Sequence, residues 1–126
     1  MKEKYDAIIV GAGVAGLNFA LHFPKTRKVL IICKGKPEQS DSYLAQGGIC
    51  RLQGSGDYES YFSDTMRAGH NENNPEAVEC MIKSSPEIID DLISCGVGFA
   101  REEDGSLAVT REGGHSRNRI CFHKDC

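Results

Sequence analysis

Residues 5–16 read Tyr5-Asp6-Ala7-Ile8-Ile9-Val10-Gly11-Ala12-Gly13-Val14-Ala15-Gly16, and this stretch decides the fold. The apolar run Ala7 to Val10 has the length and composition of a strand buried on both faces. Three glycines follow, each with a separate task. Gly11 permits a tight turn out of the strand, Gly13 lets backbone approach a pyrophosphate, and Gly16 allows close helix–strand contact. A helix starting here offers free N–H groups and a positive dipole end to phosphate. Placement between a strand and an amphipathic helix is what makes the pattern specific for a dinucleotide.

Outward from this turn, Val14 to Phe23 has helical spacing, with Leu17, Ala20 and Leu21 on one face, and Pro24 closes it. Val29-Leu30-Ile31-Ile32 is a second buried-strand pattern, completing a βαβ unit. The end of that strand should carry an acid for a ribose hydroxyl. Cys33 and Lys34 stand there instead, which argues against ordinary NAD binding.

Gly35 to Ser40 reads as loop, and a short helix is expected from Asp41 to Gln46, stopped by Gly47-Gly48. After a turn at Gln53–Asp57, Tyr58, Tyr61, Phe62, Thr65 and Met66 keep helical spacing as far as Gly69. Asn74-Pro75 and Ser85-Pro86 each predict the start of a separate helix, a cap followed by proline at the first helical position. Their stripes are Val78, Met81 and Ile82, then Ile88, Ile89, Leu92 and Ile93, ending at Gly96. Short strands are expected at Val97–Ala100 and Leu107–Thr110, around a Glu103-Asp104-Gly105 turn. Ile120 to Cys126 reads as an element still in progress, and two parallel strands are too few for a doubly wound sheet. The chain is therefore expected to be a fragment.

With 126 residues the length fits one domain, and 15 basic against 18 acidic residues are interspersed along it. That balance points away from a nucleic-acid face or a polybasic membrane anchor. The longest apolar runs fall far short of the roughly 20 residues of a spanning helix, and the charged N-terminus reads as no signal peptide. A soluble, cytoplasmic protein is expected. The six cysteines form no CxxC pair and read as free buried thiols in a reducing compartment. Cys121, His123 and Cys126 make only a weak metal set, so no metal is expected.

Two further motifs follow the first in order: Ser40-Asp41-Ser42-Tyr43-Leu44-Ala45-Gln46-Gly47-Gly48 and Arg111-Glu112-Gly113-Gly114-His115-Ser116. Together the three resemble the N-terminal part of the succinate dehydrogenase and fumarate reductase flavoprotein family, and within it the aspartate oxidases. The resemblance runs from the first strand to Asp125. It implies an α/β fold, the N-terminal part of a Rossmann-like FAD-binding domain incomplete at its C-terminus. Residues 1–126 would be one portion of a single domain, without the capping and C-terminal helical domains.

The resemblance also implies FAD contacts. Gly11, Ala12, Gly13, Val14, Ala15 and Gly16 would cradle the pyrophosphate, with Lys34 near the adenosine end, since Cys33-Lys34 is close to the Ser-Lys of aspartate oxidases. Asp41, Ser42, Tyr43, Leu44, Ala45, Gln46, Gly47 and Gly48 would wrap the pyrophosphate and the edge of the flavin ring. Hydroxyl and N–H donors suit phosphate oxygens, and Gly47-Gly48 would let backbone pass close to the ring. In the succinate and fumarate enzymes a histidine five residues before the glutamine carries the flavin covalently. Asp41 stands at that position, so the FAD is expected to be non-covalent.

Glu112 replaces the apolar aromatic of the succinate and fumarate enzymes. Aspartate differs from succinate by an ammonium group, and a carboxylate beside it forms a charge-assisted hydrogen bond that succinate cannot return. His115 and Ser116 are candidates for a substrate carboxylate. The implied activity is transfer of a hydride from L-aspartate to flavin, giving iminosuccinate, with oxygen or fumarate as electron acceptor. Quinolinate synthase would be a partner, combining the product with dihydroxyacetone phosphate for NAD biosynthesis. The family's catalytic arginine and its histidine ligands would lie beyond residue 126, so the chain alone is expected to be inactive. Two alternatives stay open: a fumarate reductase or succinate dehydrogenase flavoprotein, opposed by Asp41 and Glu112, and a non-catalytic nucleotide-binding module.

Overall fold

A computed structural model describes residues 3–123, which divide after Gln46 into two compact units, 3–46 and 47–123. Each has its own sheet.

The N-terminal unit is the expected βαβ arrangement: β1 (Ala7–Val10), α1 (Val14–His22) and β2 (Val29–Ile32). The two strands are parallel, from Ala7 opposite Val29 to Val10 opposite Ile32, and the Gly11 N–H continues the pairing by donating to the Ile32 carbonyl at 2.7 Å. Gly11 has φ of +105°, a conformation that β-carbons disfavour. A Cβ on Gly16 would lie 2.5 Å from the Gly11 carbonyl oxygen, so α1 rests on the turn through a glycine. Below β2, Asp6 accepts from the Lys28 N–H and from Arg27; these bonds hold its carboxyl below the ordinary carboxylate value.

The apolar stripe expected to bury α1 does not do so among the described residues: Leu21 is 68% exposed and Val10, on β1, 86%. A parallel pair buries both faces only when a layer covers each, and the helix here meets the strand mainly through Gly16. α2 spans only Asp41–Leu44, shorter than expected, because Ala45 turns extended. Ser40 caps it, its Oγ accepting from the Tyr43 N–H at 3.3 Å.

The C-terminal unit holds an antiparallel sheet in the order β3 (Gly48–Cys50), β5 (Ile120–Phe122), β4 (Val109–Thr110). Two of these strands were hidden in the sequence. β3 begins in the Gly-Gly pair read as a helix stop. A Cβ on Gly48 would sit 2.2 Å from the Cys121 carbonyl oxygen, so the glycine serves close strand pairing. The expected strand Val97–Ala100 does not form; Ala100 alone is tied in, donating to the Phe122 carbonyl and accepting from Ala108.

Helices α3 (Tyr58–Ala68) and α4 (Pro75–Ser94) pack together around Tyr61, Val78 and Ile82. The two helices expected after Asn74 and Ser85 are one. Pro86 lies inside α4 and cannot supply the N–H that the Ile82 carbonyl needs. The Ser85 hydroxyl supplies it, donating to that carbonyl at 2.7 Å while accepting from the Leu52 N–H at 2.9 Å. The break is mended by the residue read as a cap.

The cysteines also depart from expectation. Cys33, Cys80 and Cys95 are exposed, Cys50 is half-buried and only Cys121 is buried, while Cys126 lies outside the described residues. Among the described residues no group of three or more His, Cys, Asp or Glu side chains is placed to hold a metal, and no helix is long and apolar enough to cross a membrane.

Candidate functional site

Each unit contains a cleft lined by residues singled out in the sequence. In the N-terminal unit a cleft of about 590 Å³ is lined by Gly11, Ala12, Gly13, Lys34, Asp41 and Ser42, with Cys33 and Lys36 beside them. Folding thus joins the first motif, the end of β2 and the start of the second motif. The Val14 N–H, in the first turn of α1, donates to Ser42 Oγ at 3.0 Å, and a Cβ on Gly13 would meet that oxygen at 3.1 Å. Bare backbone, a helix start and two lysine ammonium groups fit a pyrophosphate and the adenosine end of a dinucleotide.

The other residues of these motifs lie elsewhere. Ala15 is exposed on α1, and Tyr43 and Leu44 are exposed on α2 at 68% and 65%. Ala45 and Gln46 end the N-terminal unit, whereas Gly47 and Gly48 begin the C-terminal one. Gly47 has φ of +105°, and a Cβ placed there would be 3.7 Å from Glu112 Oε2. The third motif therefore lies against the end of the second.

The cleft of the C-terminal unit, about 480 Å³, has mainly apolar walls from Ile49, Met81, Ile88 and Ala68, with His115, Cys50, Tyr61 and Asp64 also lining it. Glu112 is exposed and stands outside this lining, as does Ser116. The Ser116 backbone N–H and hydroxyl both donate to Asp64 Oδ2, each at 2.7 Å.

Behind the cleft is a buried ionic cluster that sequence reasoning missed. Arg119 is fully buried and pairs with Asp57 at 2.7 Å and Asp64 at 2.8 Å. Its guanidinium also covers the Tyr61 ring at 4.8 Å. Burial opposes charge on both aspartates, but the bonds from Arg119, with Gln53 and Ser60 at Asp57 and with Ser116 and Arg67 at Asp64, prevail. Both carboxyls are held below their ordinary range, Asp64 far below. Burial likewise opposes the Arg119 charge, and the two aspartates override it. For His115, burial and then the Arg119 charge lower the pKa, favouring neutral imidazole; burial pushes the Tyr61 phenol up. A signal existed. Asp57, Tyr61 and Asp64 fall at i, i+4 and i+7, so two acids share the helix face that Tyr61 buries, which calls for a buried cation.

The family model described as FAD binding domain matches residues 6–125, and the chain belongs to that family. FAD is the cofactor this family fold accommodates. Among curated relatives, the L-aspartate oxidase of Clostridium perfringens is 40% identical over 99% of the chain, and that of Clostridium acetobutylicum 42% identical over 99%. The chain spans 28% and 29% of their lengths. The chloroplastic L-aspartate oxidase of Oryza sativa is 41% identical over 98% of the chain, which covers 19% of it. Among solved structures, FrdA of E. coli quinol fumarate reductase superposes with a TM-score of 0.86 at 31% identity, over 94% of this chain and 21% of that one. That structure shares the fold of this chain, a mixed α/β arrangement consistent with part of a Rossmann-like FAD-binding domain.

Proposed function

We propose that the whole protein, of which this chain is the N-terminal portion, oxidises L-aspartate to iminosuccinate and feeds NAD biosynthesis. The observation that carries this reading is the 40–42% identity to L-aspartate oxidases over 99% of the chain. Both units are read as parts of one FAD-binding domain, and FAD, when bound, supplies the two-electron acceptor. Gly11, Gly13 and the first turn of α1 hold the pyrophosphate, and Lys34 meets the adenosine end. Asp41, a carboxylate where the covalent enzymes have histidine, leaves the cofactor free of a covalent link. Tyr43 to Gly48 follow the cofactor toward its ring.

Glu112 beside Gly47 is the group that reads the substrate ammonium, and His115 offers a hydrogen bond from the cleft. The Ser116 hydroxyl, committed to Asp64, positions the loop and is not assigned to substrate. Oxygen or fumarate takes the electrons, the product passes to a quinolinate-forming step, and the setting is cytoplasmic. The test is turnover by the whole FAD-loaded protein given L-aspartate or succinate as donor. Oxidation of L-aspartate alone supports the reading. Oxidation of succinate in its place would favour the fumarate reductase alternative, to which the E. coli structure lends its 0.86 TM-score.

A further inference from the structure

An arginine guanidinium has five N–H donors and no acceptor. In Arg119 all five are used. Nε donates to Asp57 Oδ2 at 3.2 Å, and Nη2 to Asp57 Oδ1 at 2.7 Å and Ser60 Oγ at 3.0 Å. Nη1 donates to Asp64 Oδ2 at 2.8 Å and to His115 Nδ1 at 2.9 Å. An imidazole nitrogen that accepts from a guanidinium carries no hydrogen, so the ring's proton must sit on Nε2. That nitrogen is 3.2 Å from Cys50 Sγ, at the cleft wall. Sulfur is a weak acceptor that a ligand oxygen can replace.

We propose that Arg119 is a positioning residue: held by Asp57 and Asp64, it locks His115 in the Nε2–H tautomer and presents the cleft with one neutral donor for a ligand oxygen. The assignment of that oxygen to bound substrate or cofactor rests on the function proposed above; the tautomer does not. Charged and titratable groups around the ring come from two elements and the loop itself: Cys50 on β3, Tyr61 and Asp64 on α3 with Asp57 at its N-cap, and Arg119 in the loop ahead of β5. Asp64 also lines the cleft, but its oxygens are engaged by Arg119, Arg67 and Ser116, so its charge does not stand bare against an incoming anion. The His115 N–H can take either a ring carbonyl of the cofactor, which the apolar walls suit, or one carboxylate oxygen of a small acid whose charge stays toward solvent.

The experiment is long-range proton–nitrogen correlation on the whole protein labelled with ¹⁵N-histidine, with the His115 signals assigned by their loss in His115→Gln. A bare Nδ1 and protonated Nε2, unchanged in Cys50→Ala, is the expected result. An Nδ1–H tautomer, or averaging between the two, in the folded wild type would overturn the proposal. Arg119→Lys, where it folds, should release the ring to mixed tautomers; the wild-type measurement decides without it. FAD and then succinate are added to the apoprotein in turn. A shift of Nε2 on FAD assigns the oxygen to the cofactor, one on succinate assigns it to the substrate, and no shift with either overturns the donor role. Where succinate is the partner, His115→Leu should weaken its binding about 10- to 100-fold, and His115→Gln, which keeps an N–H, far less. None of these readouts needs turnover, so failure of the proposed aspartate chemistry is seen separately.

Discussion

Nη1 of Arg119 lies 2.9 Å from Nδ1 of His115, joining a buried arginine and its two aspartates to the wall of a cleft. Arg119 and Asp57 stand behind that contact, while Asp64 belongs both to the cluster and to the cleft wall. Acid stability reads the cluster, and ligand binding reads the cleft.

The cluster sets an acid limit. Asp57 and Asp64 have folded-state pKa values below those of an unfolded chain. Their contribution is complete above the unfolded value of about 4 and is lost as pH falls toward the folded values. Denaturant midpoints should begin to fall below about pH 6.5, where an unfolded histidine takes a proton that the depressed His115 does not, and fall more steeply below about 4 as the aspartates protonate. Replacing Arg119 with Met leaves buried Asp57 without a cation and Asp64 with only the exposed Arg67, at a cost of about 3–5 kcal/mol. Their pKa values then rise, so the variant should gain stability where the wild type loses it.

Ser85 mends the backbone where Pro86 breaks it. Ser85→Ala leaves the Leu52 N–H and the Ile82 carbonyl without this partner, and should cost about 1–3 kcal/mol in chemical denaturation. Pro86→Ala restores an N–H for Ile82, so Ser85→Ala should be milder in that background. Equal costs in both backgrounds would refute the relay.

Gly16 meets the Gly11 carbonyl where a Cβ would be 2.5 Å away. Gly16→Ala should destabilise by about 1–3 kcal/mol and weaken FAD binding, because the α1 N-terminus must move off the turn. Retained stability and affinity, measured by denaturation and flavin fluorescence titration, would contradict close packing as the reason for this glycine.

With Asp41 in place of a histidine, acid precipitation of the whole holoprotein should release FAD into the supernatant. Flavin fluorescence remaining with washed, denatured polypeptide would show a covalent link and remove Asp41 from the account.

The parts legible in the sequence were those governed by short-range rules. The βαβ unit followed from two apolar runs around Gly11, Gly13 and Gly16, and α3 from its apolar spacing. Long-range facts were not legible. β3 and β5 are three residues each and owe their existence to one another, with Gly48 fitting against Cys121. The single helix α4 was hidden because Ser85-Pro86 has the composition of a start, and only the buried Ser85 hydroxyl shows that it continues. Of the cleft in the C-terminal unit, Glu112 stands outside the lining, whereas His115 of the same motif was visible through that motif. Arg119 was not, since nothing local marks a buried arginine 55 residues from the Asp64 it pairs with.

The most direct measurement compares two reactions in one variant of the whole FAD-loaded protein, Glu112→Gln: oxidation of L-aspartate and reduction of fumarate by the reduced flavin. Loss of one charge-assisted contact to the ammonium should cost about 1.5–3 kcal/mol, or about one to two orders of magnitude in kcat/KM for aspartate. Fumarate has no ammonium, so its reduction should stay within about threefold of wild type. Equal losses in both reactions with FAD still bound would contradict the claim that Glu112, beside Gly47, reads the amino group.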